Sequence, residues 1–422
     1  MQVFKFGGAS VKDADSIKNV ASILQKYGAT NTIVVISAMG KTTNKLEELT
    51  NAWFYKKGDS NLILNELKTF HLSIIENLFL NKSENIINEI DNIFVELNWA
   101  IEEEPASTYN HHYDQIVSQG EILATKIVSA YLNHIAINNC WMDARGIIQT
   151  DNCYREGKVD YALSESLVQT QLLHLFKNSD IIITQGFIGG TSENYTTTLG
   201  REGSDYTAAL FAYFTNAEKV IIWKDVPGVL NADPKYFKNT KKIDELTYHD
   251  AIELTYFGTS VIHPKTIKPL QNKNIPLFVK SFLDPAQDGT VIRDSDKRCE
   301  VTSYIFKTNQ ILLSIQPKDF SFIAEDNISA IFSLFSKYNV HANMIQNSAI
   351  SLSVCTDDDE GKIELLINDL QLVFKVLYNK NVELMTIRNY NNDIIAKLSQ
   401  NKLVLIEQRS RNTHQMVIKN EE

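Results

Sequence analysis

The residues of this chain best suited to chemistry stand in glycine-rich stretches. In KFGGAS, Lys5 precedes Gly7 and Gly8, and Ser10 closes the stretch. Glycines let backbone N–H groups approach a phosphate closely, a following helix adds partial positive charge, and Lys5 brings a full cation. A tight strand-to-helix turn with a solvated lysine explains the same residues. Residues 196–205 read TTTLGREGSD. The hydroxyls of Thr196, Thr197 and Thr198 are short, neutral donors suited to an anion. Arg201 can grip a carboxylate through two parallel N–H bonds, which a lysine cannot. Asp205 falls in the first turn of the next helix, where Ser204 or Asp205 could serve only as a cap. A cap leaves Arg201 and the threonines unexplained, so the stretch is read as a loop that holds a charged small molecule.

Three further loops share this character. SAMGKTTN, 37–44, ends like a Walker A motif, but the glycine required five residues before Gly40 is Val35, so it is not a P-loop. Ser37 and Thr43 remain candidates for a carboxylate. KDVPGVLNADPK, 224–235, has two turns and two aspartates, and reads either as a plain loop or as a wall of a nucleotide site. In SQGE, Glu121 opens a helix, where an acid suits the dipole with no ligand at all; a ligand amino group would be its functional partner.

Composition narrows the partners. The chain has 422 residues, 44% hydrophobic and 22% charged, enough for two or three globular domains. Its net charge of −10 and lack of a basic run argue against nucleic acid or an anionic membrane as partner. The four cysteines, Cys140, Cys153, Cys299 and Cys355, form no C-x-x-C pair, which points to reduced thiols. No apolar run reaches the roughly 18 residues of a membrane span, and a cytoplasmic protein is expected. His111 and His112 are adjacent and read as surface; no protein metal site and no Ser/His/Asp triad is read.

The elements that must position these loops follow from periodicity. Gln2–Phe6 reads as a strand, and Ile17, Val20, Ala21 and Leu24 as one face of a helix. Thr32–Ile36 is a second strand, which gives βαβ grammar and a parallel sheet. Residues from about 43 to 100 read as a helical insertion, and 118–135 as a long amphipathic helix. Strands are expected near 139–143 and 180–184, with a helix at Tyr161–Phe176 between them. The run from Gln185 to Asp205 is read as one long connection. A helix at Ser204–Phe214, a strand at Lys219–Trp223, helices at about 247–257 and 264–272 and a strand at 276–282 follow. All these glycine loops leave the carboxyl ends of strands, where open α/β sheets bind ligands.

Near Asp294 the chain turns polar, as in a linker. Beyond it the order is strand (311–315), helix (326–337), strand (340–346), strand (350–355), helix (361–370), strand (372–377), a ferredoxin-like βαββαβ unit. A shorter strand–helix–strand–strand follows. It cannot bury its helix face alone, so it is expected to pack on its neighbour or on a second subunit.

With KFGGAS, SAMGKTTN, SQGE, GFIGGTSENYTTTLGREGSDYTA, KDVPGVLNADPK and ELTYFGTSVIHPKTI in this order, the chain resembles the aspartate kinases of the amino acid kinase fold over roughly residues 2–295. The tail resembles the paired ACT regulatory domains of the same enzymes. The resemblance implies an α/β catalytic domain over 1–295, a mainly parallel central sheet sandwiched by helices, with a helical insertion at about 43–115. It implies α+β ferredoxin-like ACT domains at 301–380 and, shortened, at 381–422. It also implies ATP-dependent phosphorylation of the L-aspartate side-chain carboxylate to 4-phospho-L-aspartate, the step that opens lysine, threonine, methionine and diaminopimelate biosynthesis. Mg²⁺ would be held mainly by the phosphates, and the protein would assemble as a homodimer or higher homo-oligomer through the ACT domains, with an amino-acid effector there. The chemistry agrees: a carboxylate with a pKa of about 4 is already ionised and needs no general base.

By residue, the resemblance places Lys5 on the transferring phosphate, oriented by Asp205. Arg201 would clamp a substrate carboxylate, and Glu121 would take the α-amino group. Ser37, Thr43, Phe187, Thr198 and Ser204 would complete the aspartate pocket. Gly7, Gly8, Ser10, Lys224, Asp225, Leu230, Asp233, Pro234 and Lys235 would line the nucleotide side, and Asn343 and Ser348 the effector site.

Several positions depart from the family pattern. Ser260 stands where many members carry a lysine, so one phosphate contact is either lost or supplied by Lys265 or Lys224. Lys224 replaces a frequent threonine, and Leu230 a frequent aromatic. In the effector region Ser348-Ala349 replaces Ser-Glu, and Asn343 replaces an aspartate, so lysine feedback is expected to be weak or absent, or another ligand to be used. A unit that serves only for dimerisation fits as well. Other amino acid kinases, of the glutamate 5-kinase, acetylglutamate kinase or carbamate kinase type, share the loops but generally lack SQGE with this insertion and a double ACT tail. A non-catalytic ACT sensor would not need Lys5, Arg201 and Asp205 together.

Overall fold

The apolar runs QVFKF and TIVVI form strands β1 (Gln2–Phe6) and β2 (Thr32–Ile36), paired parallel from Gln2 against Thr32 to Phe6 against Ile36. The computed structural model describes residues 1–28, 30–80, 84–258, 262–296, 299–319 and 321–420. It divides into two units, the first made of Met1–Val229, Lys242–Ile252 and Val261–Cys299. Here follow β3 (Asn139–Met142), β4 (Ile181–Gln185), a hairpin of β5 (Ile188–Gly190) and β6 (Thr196–Thr198), β7 (Lys219–Lys224), β8 (Glu245–Thr247), β9 (Leu277–Ser281) and β10 (Thr290–Arg293). Eight of them align as β3-β4-β2-β1-β7-β9-β10-β8, and every pair is parallel except β9 with β10. The order changes direction at β1 and β7, and ligands of open α/β sheets bind at such a point.

Strands β2 and β4 are buried along their whole length because helices cover both faces, so β2 and β4 up to Thr184 are β-branched runs without alternation. Phe6 and Trp223, in register on β1 and β7, stack at 6.1 Å with their planes 4° apart. Helix Ala14–Tyr27 is capped by Asp13, whose carboxylate accepts from the Ser16 N–H at 2.8 Å, and it buries the predicted Ile17, Val20, Ala21 and Leu24. The helical insertion comprises Thr42–Phe54, Ser60–Phe79, Glu84–Glu102 and Tyr109–Val117, and leads into Gln119–His134. Among the described residues, no helix is long and apolar enough to cross a membrane.

Three features differ from the sequence reading. The connection after Gln185 contains the β5–β6 hairpin. The helix expected at Tyr161–Phe176 is broken by a π turn at Val168–Leu172. Strands β8 and β10 were not anticipated; three or four residues are too few to show a period.

The second unit is Leu230–Lys241, Glu253–Ser260 and Glu300–Glu422. Its strands β11 (Ser303–Pro317), β12 (Ala342–Asn347), β13 (Leu352–Asp357), β14 (Phe374–Arg388), β15 (Lys402–Arg409) and β16 (Thr413–Asn420) form one antiparallel sheet in the order β12-β13-β11-β14-β16-β15. Helices Glu325–Lys337 and Glu360–Val373 cover one half, with Ile331, Phe335, Leu366 and Leu370 over Leu313 and Val354. Helix Asn392–Ser399 covers the other through Ile395, with Met385, Ile387, Met416 and Ile418. The short tail unit gains a strand from upstream: Ser303–Lys307 pairs with Leu384–Arg388, so β11 and β14 run through both halves. The halves meet at register shifts between Lys307 and Leu312, where Asn309 and Asn381 take left-handed backbone, φ 53° and 55°, as asparagine tolerates better than most residues.

Candidate active site

Side chains alternate along a strand, so Phe4 and Phe6 face the ring cluster while Lys5 points to the opposite face of the sheet. There it meets the first turn of helix Gly203–Thr215. Lys5 Nζ lies 2.6 Å from Asp205 Oδ1, and Lys224 Nζ, from the end of β7, lies 3.3 Å from Asp205 Oδ2. The Asp205 side chain is only 3% exposed. Burial alone would raise its pKa, but the two ammoniums overcome that and hold the carboxyl below the usual range. The result is a pair of ammoniums fixed at the carboxyl ends of adjacent strands, an arrangement that receives phosphate oxygens.

Loops after β1 and β2 close over this point backbone to backbone. Gly40 N–H donates to Gly8 O at 3.0 Å, and a Cβ on Gly8 would stand 2.7 Å from Ala38 O, so only glycine fits. Gly7 lies beside the lysine, since a Cβ there would meet Lys5 Nζ at 3.4 Å. Ser10 is buried in the short 3₁₀ turn that follows. Gly120 lets helix Gln119–His134 press on Ala38 and Thr42, and so Glu121 Oε1 accepts from Ala38 N–H at 3.1 Å. Its other oxygen, Oε2, is buried with no hydrogen-bond partner among the described residues. Burial pushes the Glu121 carboxyl up to about 8, against the Ala38 bond and the charge of Lys5, which both lower it. A ligand ammonium would satisfy that oxygen and ionise the group.

The Arg201 turn is built under strain. Glu202 and Phe187 both take left-handed backbone, φ 52° and 69°. Such conformations in non-glycine residues are costly and cluster at functional sites. Phe187 is held by Thr207, whose hydroxyl accepts its N–H at 3.0 Å, and by Leu199, which donates to its carbonyl at 2.8 Å. Ser204 packs against Gly186, where a Cβ would lie 2.5 Å from its own. Arg201 is exposed, and among the described residues its guanidinium has no ion-pair or hydrogen-bond partner, so its fork is available. Lys265 Nζ lies 3.6 Å from where a Gly200 Cβ would stand, which puts a further ammonium beside this turn. Ser260 lies outside the described residues.

The threonines serve differently from the sequence reading. Thr196, Thr197 and Thr198 are buried as β6 and not displayed to an anion. Thr198 Oγ1 donates to Asp114 at 2.8 Å, Thr197 shares a hydrogen bond with Thr150 at 2.6 Å, and Thr196 Oγ1 accepts from Arg145 at 3.4 Å. Three consecutive β-branched residues were themselves a strand signal. Ser37 and Thr43 are half-buried after β2, and the Ser37 N–H donates to Phe6 O at 3.1 Å. Asp225 is exposed just beyond β7. His111 is not a free surface residue: its ring packs edge-on against Tyr154 and Tyr195.

The remaining named residues belong to the second unit. Leu230 is half-buried, Asp233, Pro234 and Lys235 are exposed, and Asp233 accepts from the Lys235 N–H at 2.8 Å. Asn343 Oδ1 accepts from Lys307 at 2.8 Å, and its amide donates to Gln310 at 2.8 Å and Asp357 at 3.2 Å. Ser348 closes a turn with Ser351, its hydroxyl 2.7 Å from that of Ser351. Asp114 and Gln115, which bind the β6 edge, escaped the sequence reading; an acid in an amphipathic helix gives no signal of its partner.

Comparison with known proteins follows the same division. Residues 1–281 match the model of the amino acid kinase family. The chain is 32% identical over 361 residues to the lysine-sensitive aspartokinase 3 of Escherichia coli, spanning 84% of this chain and 78% of that one. It is 31% identical over 390 residues to the chloroplastic aspartokinase 1 of Arabidopsis thaliana, spanning 89% and 67%. Among solved structures, E. coli aspartokinase III in complex with aspartate and ADP aligns with a TM-score of 0.84 at 26% identity, over 99% of this chain and 96% of that one. The same enzyme with lysine and aspartate gives 0.83 at 27%, over 99% and 95%.

Proposed function

The chain belongs to the amino acid kinase family, and from that premise we propose that it is an aspartate kinase, transferring the γ-phosphoryl group of ATP to the side-chain carboxylate of L-aspartate. A bond forms between a carboxylate oxygen and the γ-phosphorus, the bond from that phosphorus to the ADP oxygen breaks, and the products are 4-phospho-L-aspartate and ADP. No proton is removed from the nucleophile, so the protein's work is positioning and charge stabilisation. Lys5, held by Asp205, meets the charge on the transferring group; Lys224 sits on the same carboxylate from the nucleotide side. Glu121 takes the α-ammonium and Arg201 a carboxylate of the substrate. Both Asp205 oxygens lie against ammoniums, which suits a Mg²⁺ carried by the phosphates and not by the protein; when bound it neutralises phosphate charge.

The observation that carries the reading is the Lys5–Asp205–Lys224 cluster at the β1/β7 switch point, with Glu121 bound to the Ala38 N–H in the loop after β2. A hydroxamate trap with ATP, Mg²⁺ and a panel of amino acids tests it. L-Aspartate is the expected acceptor; turnover of glutamate or acetylglutamate in its place would overturn the assignment. We also propose assembly as a homo-oligomer through the second unit. Its edge strands β12 and β15 expose Ile345, Leu403 and Val404, which supports pairing with another chain.

A further inference from the structure

Resting on the aspartate kinase reading, we propose that Asp114 and Gln115 are positioning residues that hold the Arg201 turn in register with Glu121, and so set the spacing at which the two ends of the amino-acid substrate are gripped. Strand β6 pairs with β5 along one edge only, with Thr197 opposite Gly189. On the other edge the backbone groups of Thr196 and Thr198 need partners. Gly157 N–H donates to Thr198 O at 2.9 Å, and two consecutive side chains of helix Tyr109–Val117 provide the rest. Gln115 Oε1 accepts from Thr196 N–H at 3.0 Å, and its amide donates to Thr196 O at 2.8 Å. Asp114 Oδ2 accepts from Thr198 N–H at 2.8 Å, and Oδ1 accepts from the Thr198 hydroxyl at 2.8 Å. The pair stands in for a third strand. Arg201 lies three residues beyond the clamp.

A second contact reaches the turn from the same carboxylate. Arg155 N–H donates to Asp114 Oδ2 at 2.8 Å, with Arg155 in left-handed backbone, φ 69°, and its guanidinium over the Tyr113 ring at 4.2 Å. The Arg155 carbonyl packs on Gly200, where a Cβ would stand 3.4 Å away. Asp114 therefore holds the turn both through β6 and through Arg155. After Val117 only Ser118 intervenes before the helix that carries Glu121. One continuous segment thus bears the residue for the substrate's ammonium and the clamp on the residue for its carboxylate.

A carboxylate that merely stabilised the fold would affect both substrates alike. The test is steady-state kinetics of the full chain with ATP and aspartate varied in turn, for wild type, Asp114→Ala, Asp114→Asn and Gln115→Ala. Asp114→Ala is expected to raise the aspartate KM about ten-fold or more, with the ATP KM changed less than about two-fold. Asp114→Asn, which still accepts both N–H bonds, should restore most of the loss, and Gln115→Ala should shift the aspartate KM in the same direction by less. Parallel rises in both KM values, or a fall in kcat alone, would overturn the inference. Should Asp114→Ala fail to fold, Gln115→Ala at its half-buried position decides between the same outcomes. A wild-type protein inert toward aspartate would instead sink the kinase reading, and this inference with it.

Discussion

The ammonium of Lys5, in the middle strand of the sheet, lies 2.6 Å from the carboxylate of Asp205, in the first turn of a helix two hundred residues later in the chain. Neither residue has more than a tenth of its side chain exposed. The contact joins the two loops that the sequence singles out, and Lys224 reaches the same carboxylate from the other side. The chemistry proposed for the protein depends on that carboxylate keeping both cations in place.

Asp205→Asn removes the charge that balances them. A buried ion pair broken on one side is strongly destabilising, by about 3–5 kcal/mol. Thermal unfolding should show that loss, and kcat should fall by about 10²–10³ as the ammoniums lose their aim.

Arg201→Lys should behave differently. Arg201 is exposed and makes no ion pair among the described residues, so its replacement should change stability by less than about 0.5 kcal/mol. A lysine cannot form the two-pronged contact to a carboxylate, which should weaken aspartate binding by about 10–100-fold and leave the ATP KM unchanged. Initial rates with each substrate varied separately check both statements.

Glu121 predicts a proton linked to substrate binding. Burial holds its pKa up to about 8, so the free protein carries the proton at about pH 6. An ammonium placed against it favours the ionised form, so the complex does not carry the proton and raising the pH favours the complex. Aspartate affinity should rise with pH, by up to about ten-fold per unit, between the lowered pKa of the complex and about pH 8, and level off above it. Calorimetry at about pH 6–7 in buffers of different ionisation enthalpy should detect up to about one proton released on binding, and Glu121→Gln should abolish the release.

Lysine should be a weak inhibitor. Asn343 has its carbonyl occupied by Lys307 and its amide by Gln310 and Asp357, and Ala349 offers no carboxylate to an effector's amino group. Titrating L-lysine to about ten times the millimolar range typical of weak sites should leave the initial rate within about two-fold. Strong inhibition at sub-millimolar lysine would contradict this.

Much of the catalytic framework could be read from periodicity. The helix face Ile17, Val20, Ala21 and Leu24 and the strands Gln2–Phe6 and Thr32–Ile36 appear where the residue types demand, because helix and buried-strand patterns are local. The β5–β6 hairpin was lost among glycines, and with it the real task of the three threonines. The same limit hid Asp114, whose partner Thr198 is 84 residues away. In the tail, β14 crosses the expected boundary at 381 as a single strand of 15 residues, because its first half pairs with one end of β11 and its second half with the other. That pairing is a property of the sheet and leaves no local trace. Lys5 and Asp205 stand in separate stretches of the sequence, and the structure pairs them at 2.6 Å, a contact that neither stretch shows by itself.

The most direct measurement is phosphorus NMR of ATP, Mg²⁺ and L-aspartate incubated with the wild-type protein and with Lys5→Ala. The wild type should generate an acyl-phosphate resonance together with ADP, and the variant should form it about 10²–10³ times more slowly. An acyl phosphate that appears at the same rate without the Lys5 ammonium would contradict the account at its centre.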